Sequence, residues 1–239
     1  MNGDRSHVPE GLRIYAIGDI HGRLDLLTDM HERIVADAAT AGDKQFIQVF
    51  LGDYVDRGPN AKGVIDWLLS PAATDWKRIC LKGNHEAILL DFLKDPEVLK
   101  IWRQYGGLET LHSYGVKLGS LRSEDAPQAL LLDFVSSLPA AHFSFLSSLP
   151  LSVTFGDYFF THAGVHPGRS LDDQRDEDLL WIRDAFLDST ADFGKIVVHG
   201  HSPKEQPELL PNRINIDTGA YLTGRLTCLV LEGAERRFL

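Results

Sequence analysis

The sequence predicts an α/β fold of two packed mixed β-sheets flanked by helices. Three observations predict it. Over the first 95 residues, short apolar runs alternate with segments of helical spacing in the order βαβαβα, the pattern of a mainly parallel sheet with helical crossovers. The second half turns to short β-branched and aromatic runs bounded by Gly, Asp or Asn. Between the two lies a largely helical stretch over residues 96–150.

The elements follow in order. Residues 1–11 are polar and read as a flexible arm ahead of a single domain over 12–239. Arg13–Ile17 is an apolar run stopped by Gly18. From Leu24 to Ala39, Leu27, Met30, Ile34 and Val35 recur at helical spacing. Phe46–Leu51 is the next strand, ended by Gly52, and Pro59 opens a helix through Trp67 and Leu68. Lys77–Leu81 is a third strand and His85–Leu93 a helix. A helical insertion is expected over about 92–150, broken at Gly106-Gly107 and by a polar stretch near Ser120–Gln128. Gly106-Gly107 reads as a tight approach beside the site. Leu151–Phe155, Tyr158–Thr161, Lys195–Val198, Arg213–Ile216 and Arg225–Leu231 read as strands, with one helix over Asp176–Leu187.

Composition narrows the function classes. The chain has 239 residues, 44% hydrophobic and 24% charged, with a formal net charge of −10. A protein that grips nucleic acid through its phosphates wants a basic face, and the longest basic run is Arg236-Arg237. Extended nucleic-acid binding is therefore not expected. No apolar run approaches the roughly 18 residues of a membrane span, and Met1–Gly11 has no apolar core of a secretory signal. The two cysteines, Cys80 and Cys228, lie in apolar runs and read as buried free thiols. A cytoplasmic location follows.

The chemistry sits at the strand ends. The first strand is followed by Gly18-Asp19-Ile20-His21-Gly22, the second by Gly52-Asp53-Tyr54-Val55-Asp56-Arg57-Gly58, the third by Gly83-Asn84-His85-Glu86. Two later strands end in His162-Ala163-Gly164 and His199-Gly200-His201. In open α/β sheets ligands bind at the carboxyl ends of strands. Asp, His and Asn together suit divalent Mn, Fe, Zn or Mg. One Gly-Asp at a strand end is an ordinary turn; five glycine-punctuated strand ends carrying Asp, Asn or His in one chain point to a metal site. His7, His31, His112, His142 and His166 have no motif, and only His166 is near enough in sequence to His162 to line the pocket.

These stretches closely resemble the phosphoprotein phosphatase branch of the calcineurin-like metallophosphoesterases, whose pattern is GDxHG, GDxxDRG, GNHE, a strand ending in HA(G), and a late GH. The resemblance runs from about Ile14 to Gly233, and the stretch Gly200–Thr227 looks like the bacterial and phage members. It implies a four-layer metallophosphoesterase fold holding two divalent ions, Mn foremost and Fe, Zn or Mg as alternatives. By the resemblance, Asp19, His21 and Asp53 bind the first ion. Asp53 bridges to the second, which Asn84, His162 and His201 complete. A water or hydroxide between the ions would attack phosphorus directly and in line. His85 would be the general acid, oriented by Asp56, which would raise its pKa by pairing. Arg57 and Arg183, with Asn84, would hold the phosphate. His199 reads as a strand-core residue, and Glu86 as a structural acid at a helix start. Many members carry a second His two places after the late Gly-His. Here that place is Pro203, so the first ion would have fewer protein ligands.

The substrate implied is a phosphorylated protein, on Ser or Thr foremost with Tyr as the lesser alternative, or a small phosphoester. A symmetrical diadenosine tetraphosphate hydrolase is the alternative. Those enzymes tend to read GDIQG, GDLVARG and GNHD, where this chain reads GDIHG, GDYVDRG and GNHE. A non-catalytic scaffold would need degraded ligands, and none is missing.

Overall fold

The computed structural model describes residues 6–71, 76–119 and 126–239. Within them the strands build two five-stranded sheets. The first contains β1 (Leu12–Ile17), β2 (Gln45–Phe50), β3 (Lys77–Cys80), β9 (Cys228–Glu232) and β10 (Glu235–Phe238), in the order β10-β9-β1-β2-β3. The second contains β4 (Ser152–Phe155), β5 (Tyr158–Thr161), β6 (Ile196–His199), β7 (Glu208–Leu209) and β8 (Arg213–Asn215), in the order β4-β5-β6-β8-β7. Each sheet has a parallel run of three strands, β1-β2-β3 and β5-β6-β8; antiparallel strands flank it on one side in the first sheet and on both sides in the second. The parallel runs bring the motif-bearing strand ends of each sheet to one edge.

The alternation of side chains explains the layers. In β1, Ile14 and Ala16 join Tyr158, Phe160, Val198 and Ile214 in a core between the sheets. Their neighbours Tyr15 and Ile17 face the other way, onto Leu27, Met30 and Ile34 of the helix Leu24–Ala38. Successive residues of a strand point to opposite faces, so one short run feeds two cores. The second sheet does the same. Its Phe159 and Val197 leave the central core and pack with Leu179 and Phe186. The result is helices, sheet, sheet, helices.

The middle segment packs on the helical side of the first sheet. Trp102, Leu111 and Phe134, from Leu99–Trp102, Gly107–Ser113 and Ala126–Ser137, share the apolar cluster of Tyr15. Most of the polar stretch expected near Ser120–Gln128 lies outside the described residues. The helix expected from Pro59 starts at Ala61, where the Asn60 side chain accepts the Gly63 N–H and caps it. Among the described residues no single helix is long and apolar enough to cross a membrane. Cys80 and Cys228 are free thiols, Cys228 buried and Cys80 only partly so.

Two expectations need correction. Residues 6–11 are not a frayed arm: Val8 is buried in the inter-sheet core and donates its N–H to Gly233 O, and His7 exchanges hydrogen bonds with Asp157. The helix expected over Asp176–Leu187 is two pieces, Asp176–Trp181 and Asp184–Leu187, with Ile182 and Arg183 in non-helical conformations between them. The break lets Arg183 reach the cleft described below. The short strands β7 and β10 carry too little apolar periodicity to be seen in the sequence, because both are edge strands stabilised by pairing.

Phe160, fully buried between Val153 of β4 and Val198 of β6, supports the strand that ends in His162. Phe160→Ala is expected to destabilise the fold by about 3–5 kcal/mol, against about 0.5 kcal/mol or less for Phe143→Ala, whose ring is exposed. Urea unfolding of both variants measures this, and equal losses would show that inter-sheet packing is not what supports β5.

Candidate metal centre

Nine of the ten site residues named from the sequence reach the strand-end edge where the two sheets meet, and the tenth, Arg183, arrives from the helix break. Asp19, His21, Asp53, Arg57, Asn84, His85, Arg183 and His201 line one cleft of about 220 Å³, together with Tyr105, Trp181, Pro203 and Asp217. Asp56 and His162 stand directly behind it, on His85 and on Asn84.

The backbone is held in a costly conformation here. Among the described residues, those other than glycine with positive φ are His21 (47°), Asp53 (52°), Asp56 (70°), Arg57 (67°) and His201 (64°). All five belong to the site. Such left-handed residues cost roughly 1 kcal/mol or more each and persist only where the surroundings dictate them. The surroundings do so by name. The His21 N–H bonds Asp53 O, the Asp53 N–H bonds Glu86 Oε2, and the Asp56 N–H bonds Thr110 Oγ1. The Arg57 N–H bonds Gly106 O and the His201 N–H bonds Asp19 Oδ2. Gly106 has φ +95°, and a Cβ there would meet the Arg57 backbone, so this is a tight approach at the site.

The side chains converge lone pair on lone pair. His162 Nδ1 donates to Leu51 O at 2.9 Å, which leaves Nε2 as an acceptor. That Nε2 stands 2.8 Å from Asn84 Oδ1, 3.2 Å from His201 Nδ1 and 3.4 Å from Asp53 Oδ1. His21 likewise donates from Nδ1 to Val55 O at 2.9 Å, and its Nε2 faces Asp53 Oδ2 at 3.5 Å. A histidine whose far nitrogen donates to a backbone carbonyl is oriented as metal ligands are. Acceptors facing acceptors need a cation between them. Two groups could each hold one, His21 with Asp53 and His85, and Asp53 with His162 and His201. Asp53 is common to both. Asp19 Oδ1 and His201 Nε2 are buried without a partner. Asp19 Oδ1 fills the space that a side chain at Gly200 would take. The residues present therefore fit two divalent ions.

Burial sets the protonation of this cluster. It raises Asp19, helped by Asp217 and Asp53, and raises Asp53, helped by Glu86, both well above the usual carboxylate range. It lowers His21 well below its ordinary value and His162 to about 3. Both directions are desolvation of the charged form.

His85 is the place where expectation and structure part. Its Nδ1 lies 2.6 Å from Asp56 Oδ2, so Asp56 does orient the ring. Burial nevertheless takes His85 down to about 3, with the Arg57 cation adding to it, and takes Asp56 up to about 7 against the donors Thr110 and Trp102. Both partners are almost sealed from solvent, so burial opposes the charged form of each and outweighs the pairing expected to raise His85. The resting imidazole is neutral.

Several residues around the site carry no sequence motif of their own. Trp102 Nε1 and Thr110 Oγ1 hold Asp56 at 2.8 and 2.6 Å, and both come from the middle segment. Asp217, in Ile216-Asp217-Thr218-Gly219, enters the cleft with Oδ1 accepting the Gly219 N–H. Its place within Gly200–Thr227, the stretch that looks like the bacterial and phage members, was the available signal. Glu86 proves structural: it accepts N–H groups from Gly83, Asp53, Tyr54 and Val55. Arg57 stacks over Tyr221 at 4.5 Å and reaches His85 Nε2 at 3.5 Å. His199 is a core residue beside Phe186, with Arg213 on its Nε2. His166 does not line the cleft. Its ring turns back onto Pro167 O, so nearness in sequence to His162 misled.

The calcineurin-like phosphoesterase family model matches residues 12–225. The chain is 26% identical to serine/threonine-protein phosphatase 1 of Salmonella typhimurium over 222 residues, 90% of this chain and 89% of the relative. It is 24% identical to an asymmetrical bis(5′-nucleosyl)-tetraphosphatase of Anoxybacillus flavithermus over 234 residues, 89% and 88% of the two chains. Among solved structures, a candidate diadenosine tetraphosphatase superposes over all of this chain and 95% of its own, with a TM-score of 0.64 at 20% identity. A cold-active protein tyrosine phosphatase does so over all of this chain and 85% of its own, at 0.60 and 16%. At such identities the structures speak for the fold.

Two outcomes are expected. His199→Phe is expected to bind both ions, whereas His201→Ala loses one; metal stoichiometry after Mn²⁺ loading decides, and the reverse result would move the ligand by two residues. The second concerns pH. Raised carboxyls carry protons in the metal-free cluster, whereas the lowered imidazoles carry none. Binding a cation therefore expels protons from Asp19 and Asp53, and affinity rises with pH through their titration. Calorimetric titration with Mn²⁺ in buffers of different ionisation enthalpy reads the proton release. Binding below neutrality without net release would contradict this account.

Proposed function

Because the chain belongs to the calcineurin-like phosphoesterase family and is thus a hydrolase, we propose that it is a metal-dependent phosphomonoesterase. Its proposed substrates are phosphorylated protein side chains, on Ser, Thr or Tyr. The observation that carries the reading is the placement of His85. Its Nδ1 is held by Asp56, its Nε2 stands 3.7 Å from Asp53 Oδ2, and Arg57 lies 3.5 Å away on the cleft side. This supports a role for His85 as proton donor, beside the candidate metal cluster and beside a cation suited to phosphate.

The chain's own residues divide the work. Asp19, His21 and Asp53 hold one ion, and Asp53, Asn84, His162 and His201 the other. When bound, two divalent ions, Mn²⁺ foremost, supply charge to the phosphoryl oxygens and activate water for in-line attack. Arg57 and Arg183 fork onto the non-bridging oxygens, with Asn84 beside them. The same contact readies His85. Arg57 is one of the two causes that lower its pKa, and a phosphate seated on Arg57 cancels that charge. With that charge cancelled, His85 takes a proton from solvent onto Nε2 and passes it to the leaving oxygen, while Asp56 on Nδ1 keeps the ring in place.

Support for side-chain phosphates comes from the GDIHG, GDYVDRG and GNHE wording and from relatives named serine/threonine-protein phosphatases. The second reading, a dinucleoside polyphosphate hydrolase, has relatives of equal coverage behind it. The free thiols fit a cytoplasmic setting for either.

His85→Asn is expected to keep both ions and to lower kcat by about 10²–10⁴-fold, with a smaller loss on para-nitrophenyl phosphate, whose leaving group needs no proton. Equal losses on para-nitrophenyl and alkyl phosphates would remove His85 as the acid. In the same assays, a kcat/KM for diadenosine tetraphosphate about a hundredfold above that for phosphopeptides, roughly 2.7 kcal/mol, would transfer the assignment to the second reading.

A further inference from the structure

Tyr105 and Trp181 stand at the mouth of the cleft with 38% and 37% of their surface exposed. Their ring centroids are 6.5 Å apart and the planes cross at 71°. Tyr105 meets the His85 ring at 5.9 Å, nearly perpendicular, and Trp181 meets the His201 ring at 6.2 Å. Neither ring belongs to an apolar cluster of the described residues. Packing of the core therefore does not account for two large rings beside a cleft otherwise lined with charge.

Their positions are set by the same joints that set the phosphate-binding arginines. Tyr105 immediately precedes Gly106, whose carbonyl accepts the Arg57 N–H at 3.2 Å. Trp181 ends its helix two residues before Arg183, at the break that brings Arg183 to the cleft. Each guanidinium arrives with a ring beside it.

We infer that Tyr105 and Trp181, packed edge-to-face on each other, form the aromatic wall of a slot for a planar aromatic leaving group, which selects aryl phosphomonoesters, such as the phosphate ester of a tyrosine ring, over alkyl ones. The inference rests on the phosphoesterase reading and narrows its substrate. A leaving oxygen protonated by His85 Nε2 lies next to that ring, so whatever is bonded to the oxygen emerges against Tyr105. A ring joined directly to it can stack or pack edge-on against this aromatic wall. A seryl or threonyl carbon presents no π-face. In a nucleotide the base is separated from its phosphate by a ribose, which puts it farther from His85.

Equilibrium binding to the Mn²⁺-loaded protein tests this without turnover. Phenylphosphonate and methylphosphonate present the same headgroup and differ in the ring. Phenylphosphonate is expected to bind about tenfold more tightly. The ratio should fall to about one in Tyr105→Ala/Trp181→Ala and survive in Tyr105→Phe, with metal stoichiometry unchanged as the control for folding. Equal affinities in the wild type, or a phenyl preference that persists in the double variant, would overturn the slot while leaving the phosphoesterase reading intact. AMP gaining more from the rings than phenylphosphonate does would overturn the assignment to a directly joined ring. Binding of neither phosphonate would overturn both the slot and the phosphoesterase reading.

Discussion

The side chain of Glu86, fully buried, accepts the backbone N–H groups of Asp53, Tyr54 and Val55 from the loop after β2, and of Gly83 from the loop after β3. Those donors lie in a turn that cannot continue a sheet ladder, and buried N–H groups left alone cost about 1–3 kcal/mol each. Burial raises Glu86 to about 7, with the N–H groups pulling the other way. Asp53 is the residue common to both candidate ion sites. Its carboxylate is aimed by a left-handed backbone, and that backbone is tethered by Glu86. One side chain that touches neither ion nor substrate thus sets where both ions would lie.

The centre exists only where the two sheets meet. Asp19, Asp53, Asn84 and His85 come from the first sheet, and His162 and His201 from the second. Short bonds stitch the seam: His162 Nδ1 to Leu51 O, and the His201 N–H to Asp19 Oδ2. The inter-sheet core of Phe160, Val198 and Ile14 lies behind them. Without cations the seam carries buried carboxyls and imidazoles pushed toward neutrality, with Asp19 Oδ1 and His201 Nε2 left without a partner. A ligand bound only by the folded state stabilises it by mass action, so ion binding and cohesion of the sandwich are linked here. The repeated left-handed residues are the conformational cost of placing charged groups so densely.

The middle segment contributes more than cover. Trp102 and Thr110 position Asp56, Gly106 fixes Arg57, and Tyr105 stands at the mouth of the cleft. Residues that hold Asp56 and Arg57 in place, and a ring at the cleft mouth, therefore derive from a stretch without a strand-end motif.

By itself the sequence determined the alternating strands and helices, the two-sheet architecture, and the set of strand-end side chains that the fold gathers into one cleft. These were legible because their causes are local. A strand shows its period over a few residues, and a glycine-flanked Asp or His marks where the chain must turn. Tertiary structure alone decided the break that delivers Arg183, the tether from Glu86, the entry of Asp217, the facing rings of Tyr105 and Trp181, and the pairing of edge strands β7 and β10. It also decided the protonation of His85. Its partner Asp56 could be named from spacing, but how far burial depresses an imidazole depends on everything packed around it. Each of these is a meeting of residues distant in the chain, or a desolvation summed over many neighbours, and neither leaves a period or a spacing in the sequence.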